Sequence, residues 1–484
     1  MRERCNLANV SDYDYIVVGG GSAGCVVAAR LAENANVSVL LLEAGSASPS
    51  TTTPNNWLSL LGTEADWQDT TLLEPELGRT LAWPRGKALG GSSSINGMIF
   101  ARGHRSSYDW GKGWEFDDLL PFFQRSEHAP TRDPALRGVG GPLKVAPAEQ
   151  QHPTAAAYVD AASEAGYRRA TDISGGLEEG VGWVDLNIVA GIRQSAADAY
   201  LGSHTNLDVV TDALVQRVVL DGHRATGVEY TLGGQQIRAE AAEVVLCAGT
   251  IGTAQLMMLS GIGPADHLRD MNIDVVADLP GVGENLHDHP LSFVMYTSAR
   301  PIPVGSNNNV EVIGLLRSDP GLGAPDLQSC LSAPTGEDLY VIALSLMTPY
   351  SRGRLRLADQ GIALAPRYLT DARDLTAMVN GMRLIREIGA ASALKPWRGQ
   401  EVESGGETYV RAATGPYYHY VGTCKLGVDE MSVVDQNLRV HGIEGLRIAD
   451  ASVIPQIPSA NTYSTVIAIA ERAASLINGA ETVE

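Results

Sequence analysis

A glycine-rich segment near the N-terminus constrains the fold more than any other part of the sequence. Residues 13–24 combine an apolar run with glycines at positions 19, 21 and 24, and a small-residue stretch follows. A second apolar run over residues 37–42 ends at Glu43. This order predicts a strand, a tight turn, a helix over residues 25–32 and a parallel strand. That is the context that a dinucleotide-binding fingerprint requires.

Each residue type in this fingerprint has a physical reason. Gly19 permits the tight turn, and Gly21 lets the backbone approach a pyrophosphate. Gly24 lets the helix lie close to the strand, and the N–H groups at the helix start are available to phosphates. Glu43 is placed to accept hydrogen bonds from ribose hydroxyls. An ordinary glycine-rich turn is the simpler alternative, but it leaves Glu43 unexplained.

The size and charge of the chain limit the classes of protein that it could be. At 484 residues the chain is too long for one simple core, so two interleaved or consecutive domains are expected. The formal net charge of −20 argues against nucleic acid or an anionic membrane as a partner. The simpler interpretation is that this acidity only serves solubility.

The cysteines indicate a reducing compartment. They are Cys5, Cys25, Cys247, Cys330 and Cys424, an odd number without a C-x-x-C pair, which fits neither a disulfide framework nor a zinc site. The N-terminus shows no signal peptide, and no stretch reaches the ~18 uninterrupted apolar residues that cross a bilayer. We therefore expect a cytoplasmic protein without a membrane partner.

Hydrophobic patterning predicts further elements of both kinds. Residues 213–220 and 225–232 alternate around an Asp-Gly turn and predict a β-hairpin. Residues 242–249 predict a buried strand followed by a helix over 253–259, so the chain enters the nucleotide-binding sheet a second time. Helices are also predicted over 110–125 and 375–388, and a strand pair within 342–357 around a turn at 349–353.

Two loops, a short strand and a C-terminal helix are also predicted. Residues 46–56 are rich in Ser, Thr and Pro and predict a loop. Residues 81–96 are too rich in Gly and Ser for a stable helix or strand, so they predict a loop laid against a polar cofactor. A short strand over 446–452 precedes a helix over 462–477, with Asn461 as its predicted N-cap.

Four blocks of the sequence together resemble the glucose–methanol–choline (GMC) flavoprotein oxidoreductases. The first is the fingerprint, and the second is residues 86–96. The third is residues 249–263, in which Ala254 stands where the family usually has Pro or Ser. The fourth combines residues 418–427 with residues 450–472. In the family's order, these blocks cover nearly the whole chain.

The resemblance implies FAD as the dinucleotide. Val218 would meet the adenine through its backbone, and Asp450 would contact the phosphate or ribityl region. Some family members tether the flavin through a histidine in the Gly-Gly-Ser loop, but Ile95 stands at that position, so noncovalent FAD is expected. By position, the residues implied to hold FAD are Gly19, Gly21, Ser22, Ala23, Gly24, Glu43, Ala44, Ala88, Gly91, Ser92, Asn96, Gly97, Val218, Ala248, Asp450, Ala451 and Thr462.

The resemblance also implies an α/β fold with two parts. A Rossmann-like FAD-binding domain would occupy residues 12–290, with insertions at about 46–80 and 110–200 on the substrate side. A substrate domain built on an antiparallel sheet would occupy residues 291–430, and residues 431–484 would return to the FAD-binding domain.

Alcohol oxidation requires a base for the hydroxyl proton, while the flavin carries the redox step. A lone histidine in a Tyr-rich segment would be structural, but the resemblance makes His419 the base. It assigns Asn461 to hydrogen-bond the substrate oxygen, since an amide is not a base. His104, His287 and His289 are interpreted as structural or surface residues.

The expected reaction is oxidation of a primary or secondary alcohol to an aldehyde or ketone, with hydride transfer to flavin N5. The expected partners are the alcohol and either oxygen or another electron acceptor, in a monomer or homodimer. A flavin-bound hydroxynitrile lyase and a non-catalytic flavin-binding protein are the alternatives. Cys424 is expected to be a buried small residue, and no spacing suggests a metal. The helix that follows Asn461 is expected to point its N-terminus at the flavin and stabilise negative charge there.

Overall fold

Two seven-stranded β-sheets organise the protein. The structure, a computed structural model, describes residues 12–47, 53–333, 338–402 and 405–479. Cys5 and part of the loop predicted over 46–56 lie outside these residues. The α/β class expected from the sequence is confirmed.

The first sheet contains the fingerprint. Its strands, in spatial order, are Leu207–Val210, Val39–Leu42, Asp12–Val18, Gln235–Leu246, Arg224–Leu232 and Ala213–Asp221, and Leu446–Ile448 also pairs with Gln235–Leu246. The strands on either side of the fingerprint turn are parallel, as predicted. The helix between them, Ser22–Ala32, begins three residues earlier than predicted. The predicted β-hairpin is confirmed, and Gln235–Leu246 adds a third antiparallel strand to it before it runs parallel to the fingerprint strand.

The second sheet is entirely antiparallel. Its strands, in spatial order, are Arg398–Val402, Pro290–Ser298, Leu339–Leu346, Leu327–Ser332, Val312–Leu316 and Gly180–Trp183, and Gly415–Pro416 also pairs with Pro290–Ser298. The helices Pro153–Glu164 and Ala372–Ala390 cover one face of this sheet. Tyr158 Oη in the first helix donates to Ser329 Oγ at 2.7 Å, and a Cβ added at Gly381 in the second would lie 2.5 Å from Leu344. The other face is therefore free to form the wall of a cavity.

The strand pair predicted within 342–357 is wrong. Leu339–Leu346 lies between two partner strands of the second sheet, so both of its edges are already hydrogen-bonded. Arg354–Leu357 pairs instead with Ile362–Ala365, and Gly361, with a φ of +82°, forms the turn before the second strand. Alternation in sequence did not reveal which strand each segment meets.

Nine α-helices occur in the described part of the chain. The helix predicted over 110–125 begins only at Phe116, because Glu115 and Asp118 form a capping box there. The helix predicted over 375–388 is confirmed. The nine helices are Ser22–Ala32, Phe116–Ser126, Pro153–Glu164, Ala196–Tyr200, Gly249–Leu259, Ala265–Asp270, Ala372–Ala390, Gly406–Ala413 and Tyr463–Ile477.

Short elements connect these parts. The two-stranded pairs are Asp69–Thr70 with Ala82–Trp83, Ile99–Phe100 with Asp185–Leu186, Glu127–His128 with Leu143–Lys144, Ile188–Val189 with Ile192–Arg193, and Ile262–Gly263 with Ala277–Asp278. The 3₁₀ turns are Pro54–Leu60, Gly91–Ser94, Arg105–Ser107, Ile173–Gly175, Ser392–Leu394 and Ala451–Val453.

The cysteines within the described residues are all buried and free of disulfides: Cys25, Cys247, Cys330 and Cys424. Burial raises the pKa of the Cys424 thiol, which keeps it protonated and agrees with its interpretation as a small core residue. Among the described residues, no helix combines the length and the apolar character needed to cross a bilayer.

Candidate active site

A cavity of about 830 Å³ is lined by residues of both sheets. The fingerprint and the ends of the first-sheet strands line one end, which we call the fingerprint end. The second sheet, together with His419 and Asn461, lines the other, which we call the histidine end. A cavity of this size is in the range of about 300–1,000 Å³ that holds small ligands and cofactors.

Backbone rather than side chains forms the wall at the fingerprint turn. Gly19, Gly21, Ser22 and Ala23 line the cavity, and the helix that starts at Ser22 has no side-chain cap. Its first N–H groups are therefore available to an anion. Gly24 lies behind the wall, where a Cβ would come within 1.8 Å of the Gly19 carbonyl oxygen.

Glu43 and Ala44 line the cavity at the end of the neighbouring strand. The Glu43 carboxylate accepts hydrogen bonds from the Gly20 N–H at 2.8 Å and the Gly45 N–H at 2.7 Å. Burial raises the pKa of Glu43 to about 7, although these N–H donors oppose the shift. The fingerprint turn therefore holds in place the carboxylate that is predicted to accept hydrogen bonds from the ribose.

The Gly-Gly-Ser loop packs directly on the fingerprint turn. The Gly90 N–H donates to the Gly20 carbonyl at 2.7 Å, and a Cβ at Gly91 would lie 2.7 Å from the Gly21 Cα. Ala88 is fully buried behind the loop and does not line the cavity. The loop residues predicted from the sequence that do line it are Gly91, Ser92, Asn96 and Gly97.

Val218 is not among the residues that line the cavity, and its predicted backbone contact with adenine stays a prediction. Its N–H donates to Ser260 Oγ at 2.9 Å, and residues 213–216 line the cavity instead. The strand register shifts between Val215 and Arg217, a β-bulge that the sequence did not reveal.

Asp450 links two segments at the cavity wall. Its carboxylate accepts from the Gly249 N–H at 2.8 Å, from Thr253 Oγ1 at 2.6 Å and from the Ser452 N–H at 2.8 Å. Burial raises the pKa of Asp450 against these donors. The neighbouring predicted residues Ala248, Ala451 and Thr462 also line the cavity.

The cavity fits FAD by its own construction. A long dinucleotide needs close backbone approach and anion-binding N–H groups at its pyrophosphate, and the fingerprint helix and the glycine cradle at Gly21 and Gly91 offer both. The cavity then continues from these glycines to His419, so one ligand can contact both ends.

His419 and Asn461 meet at the histidine end, although 42 positions separate them. Asn461 Nδ2 lies 3.1 Å from His419 Nε2. An amide nitrogen only donates, so His419 Nε2 accepts, and the neutral ring carries its proton on Nδ1. Burial lowers the pKa of His419 to about 3, which keeps the imidazole neutral near pH 7.

His289 completes this arrangement, which the sequence did not predict. Its Nδ1 lies 2.9 Å from His419 Nδ1 and accepts a hydrogen bond from the N–H of that atom. Burial, with a smaller contribution from His419, lowers the pKa of His289 well below its usual value. The His-Asp-His-Pro sequence at 287–290 was the available signal, because a cluster of buried titratable groups marks a candidate functional site.

Asp288 fixes the segment that carries His419. Its carboxylate accepts from the backbone N–H of His419 at 2.7 Å and of Tyr417 at 3.1 Å, and from Tyr368 Oη at 2.5 Å. Burial raises the pKa of Asp288 to about 7, although these donors lower it in part. The interpretation of His287 as structural agrees with its contacts, since its Nε2 accepts from the Ile457 N–H at 3.1 Å.

Asn461 does not cap the C-terminal helix, so this prediction is wrong. The helix begins at Tyr463, and Thr462 stands at the N-cap position without a side-chain hydrogen bond. The Asn461 amide binds His419 instead, and Gln328 Nε2 lies 3.5 Å from its Oδ1. Gln328 in turn accepts from Tyr417 Oη at 2.8 Å, and neither residue was predicted from the sequence.

Comparisons with known proteins agree with this geometry. The GMC oxidoreductase family matches the chain over residues 13–291 and 349–470. Human mitochondrial choline dehydrogenase is 37% identical, with 97% of this chain and 90% of that protein covered. Oxygen-dependent choline dehydrogenase of Vibrio vulnificus is 36% identical over 96% of this chain and 94% of its own length. The crystal structure of pyridoxine 4-oxidase from Mesorbium loti has a TM-score of 0.93 at 32% identity, and covers 97% of this chain and 100% of its own.

The fold and these comparisons define an FAD-dependent oxidoreductase that acts on CH–OH groups. The chain belongs to the GMC oxidoreductase family.

Proposed function

We propose that the protein oxidises a small alcohol, with His419 as the base that accepts the hydroxyl proton. The meeting of His419 and Asn461 at 3.1 Å on the cavity wall carries this proposal. Bound FAD would supply the hydride acceptor, at its N5 atom. His419 is neutral, and its Nε2 lone pair accepts the Asn461 N–H; an alcohol hydroxyl that replaces this donor would give its proton to the same atom.

The neighbours of His419 support this role. When Nε2 accepts the proton, Nδ1 still donates to His289, so the ring keeps its orientation. Asn461 is placed to hydrogen-bond the alcohol oxygen beside Nε2. We assign His289 as a positioning residue, because it acts through His419 and sets the tautomer of that ring.

We further propose that FAD is bound without a covalent link. Ile95, which offers no nucleophile, lines the cavity and stands at the sequence position where some members of the family have a histidine. The helix Tyr463–Ile477 turns its N-terminus to the cavity, since Asn461 and Thr462 line it and no side chain caps it. Its partial positive charge would favour an anion there. Of the other predicted cofactor residues that line the cavity, those of the fingerprint and Glu43 would hold the ADP half, those of the Gly-Gly-Ser loop would lie along the pyrophosphate and flavin, and Asp450 and Ala451 would contact the phosphate or ribityl region.

The domain boundaries and the location are also proposals. The first sheet supports the assignment of 12–290 and 431–484 to the FAD-binding part. The strand Gly180–Trp183 belongs to the second sheet, which agrees with an insertion at about 110–200 on the substrate side. The second sheet supports the assignment of residues 291–430 to the substrate part. We propose a cytoplasmic location because the described cysteines are free thiols.

Anaerobic mixing of the FAD-loaded enzyme with a panel of alcohols tests the proposed reaction. We expect loss of the flavin absorbance near 450 nm on the timescale of turnover, with formation of the aldehyde or ketone. The His419→Gln variant should bind FAD normally and lose this reaction. If carbonyl product formed while the flavin stayed oxidised throughout, the enzyme would be a lyase and the proposal would fail.

A further inference from the structure

We infer that this site takes an uncharged alcohol whose carbinol carbon carries an apolar group, and that it rejects a quaternary ammonium alcohol such as choline. The inference rests on the proposed function, because it names the substrate class of the same site. It is carried by the cavity wall formed by the second sheet, which we call the apolar wall.

The apolar wall follows from the register of the second sheet. Phe293 pairs with Ala343, and Ala343 pairs with Cys330, so all three side chains point to one face. Leu291 and Val341 share that face, because they lie two positions along their strands from Phe293 and Ala343. The apolar wall that lines the cavity consists of Leu291, Phe293, Val310, Cys330, Val341 and Ala343.

This wall lies beside the catalytic pair. Gln328 is two residues before Cys330 on the same strand, and its side chain reaches Asn461 and Tyr417. His289 contacts His419, and Leu291 and Phe293 follow His289 closely along the chain, so the apolar wall begins beside the catalytic histidine. An alcohol whose oxygen lies at His419 and Asn461 would therefore extend its remaining atoms along the apolar wall.

The apolar wall carries no charge to pair with an ammonium. Among the described residues, the acidic ones that line the cavity are Glu43 and Asp450, and each carboxylate already accepts two or more hydrogen bonds from neighbouring residues. The cationic side chain that lines it, Arg85, is paired with Asp69 and stacks on Trp67.

An aromatic cage is the other common way to hold a quaternary ammonium. Phe293 is the single aromatic ring of the apolar wall, and one ring face does not form a cage. Trp57, Tyr418 and Tyr463 also line the cavity, outside this wall. Three further rings of the lining are already engaged: Trp67 by Arg85, Tyr420 by Trp83, and Tyr417 through its hydroxyl by Gln328 at 2.8 Å. A trimethylammonium group at this wall would lose water without gaining a counter-charge, which is costly. An alkyl or aryl group would gain burial.

The test compares benzyl alcohol with choline as substrates of the FAD-loaded enzyme. We expect kcat/KM for benzyl alcohol to exceed that for choline by at least about 100-fold, because an unpaired cation would be desolvated. In parallel, calorimetric titration should show binding of benzamide, an uncharged aryl probe, and no binding of tetramethylammonium. Equal or better use of choline, or equal binding of tetramethylammonium, would overturn the inference.

A matched pair of variants checks the wall itself. Leu291→Glu and Leu291→Gln have the same shape and differ in one charge. We expect Leu291→Glu to lose at least about tenfold in benzamide affinity relative to Leu291→Gln and to gain tetramethylammonium binding. Equal affinities in two variants that both retain FAD would contradict the inference.

The outcomes separate this inference from the proposed function. Turnover of neither alcohol, together with charge-sensitive benzamide binding, would sink the proposed reaction and leave the apolar wall as the ligand site. Turnover of choline in preference to benzyl alcohol would confirm alcohol oxidation and overturn the inference about substrate class. Both measurements use the intact, FAD-loaded protein.

Discussion

The two ends of the cavity are built differently. Backbone and glycine residues form the wall at the fingerprint end, whereas side chains from separate segments form the wall at the histidine end. Gly21 and Gly91 approach so closely that an added Cβ on Gly91 would contact Gly21. His419, Asn461, Gln328 and His289 instead meet through hydrogen bonds between side chains. We therefore expect the first end to be sensitive to any added atom, and the second to be sensitive to changes of chemistry at constant size.

The largest effect should come from an added methyl group at the fingerprint end. In Gly24→Ala the new Cβ would lie 1.8 Å from the Gly19 carbonyl oxygen, so the helix must move away from the strand. We expect overpacking to cost about 3 kcal/mol or more and FAD to be lost. The ratio of flavin to protein absorbance and the thermal midpoint measure this. Gly323→Ala, where no atom lies within 4 Å, is the control. Full FAD content in Gly24→Ala would contradict the expectation that the fingerprint end is sensitive to any added atom.

At the histidine end, His419→Gln changes the chemistry and keeps much of the size. Loss of a general base lowers kcat by about 10²–10⁴-fold. FAD content should stay unchanged, because the fingerprint end is untouched. Steady-state turnover with benzyl alcohol and the flavin spectrum check this, with His104→Gln as the control. A variant that lost FAD in proportion to its activity would show a structural role instead.

Asn461→Ala should have a smaller effect than His419→Gln. It removes one hydrogen bond to His419 Nε2 and the proposed bond to the substrate oxygen, each of which contributes about 1 kcal/mol or more. We expect kcat/KM to fall by roughly 10- to 100-fold. The helix should remain intact in circular dichroism, because Thr462 and not Asn461 stands at the N-cap. A fall in thermal midpoint without a fall in kcat/KM would refute this assignment.

His289→Ala should have a milder effect still. It removes the acceptor for the His419 Nδ1 proton, a bond of 2.9 Å, and so leaves the tautomer of His419 unset. We expect kcat to fall about tenfold with little change in KM, and His289→Gln, which can again accept, to recover part of it. Equal losses in the Ala and Gln variants would indicate packing rather than positioning.

The smallest effect expected is that of pH. Burial lowers the pKa of His419 to about 3, so the neutral form that accepts a proton is present above that value and is lost only below it. Anaerobic flavin reduction by benzyl alcohol should therefore show no titration of His419 between pH 8 and 5, and any change in this window should follow Asp288 and Glu43, whose pKa values burial raises to about 7. An acid limb with its midpoint near 6.5 that shifted in the His289 variant would show that His419 titrates in the normal range.

The same contrast explains what the sequence could predict. The fingerprint is contiguous, and each of its residues has a local reason, so its strands, turn and helix were predicted correctly. The second sheet joins strands that are far apart in the chain, so Leu339–Leu346 was assigned the wrong neighbour. Residue types alone do not fix which strands pair.

At the site, the differences from the prediction involve backbone details and competition between partners. The strand carries a bulge between Val215 and Arg217, and Val218, which follows it, is not part of the cavity lining. Asn461 is a good N-cap by type, but its amide binds the His419 imidazole in place of the helix N–H groups. His289 was read as a structural or surface residue, and only the fold brings its ring to His419. The pairing of His419 with Asn461 was anticipated from the resemblance rather than from local patterning.

The strand Leu446–Ile448 is the seventh strand of the first sheet, and the C-terminal helix that follows it sends Glu471 to Arg30 on the fingerprint helix at 2.7 Å. Nearly the whole polypeptide must therefore leave the ribosome before the nucleotide pocket is complete. During synthesis the Gly-rich turn emerges first, long before the strand Leu446–Ile448 and the C-terminal helix that complete the sheet and its packing. Chains released early would expose this unfinished sheet edge to chaperones and proteases, and they would fail to capture cofactor.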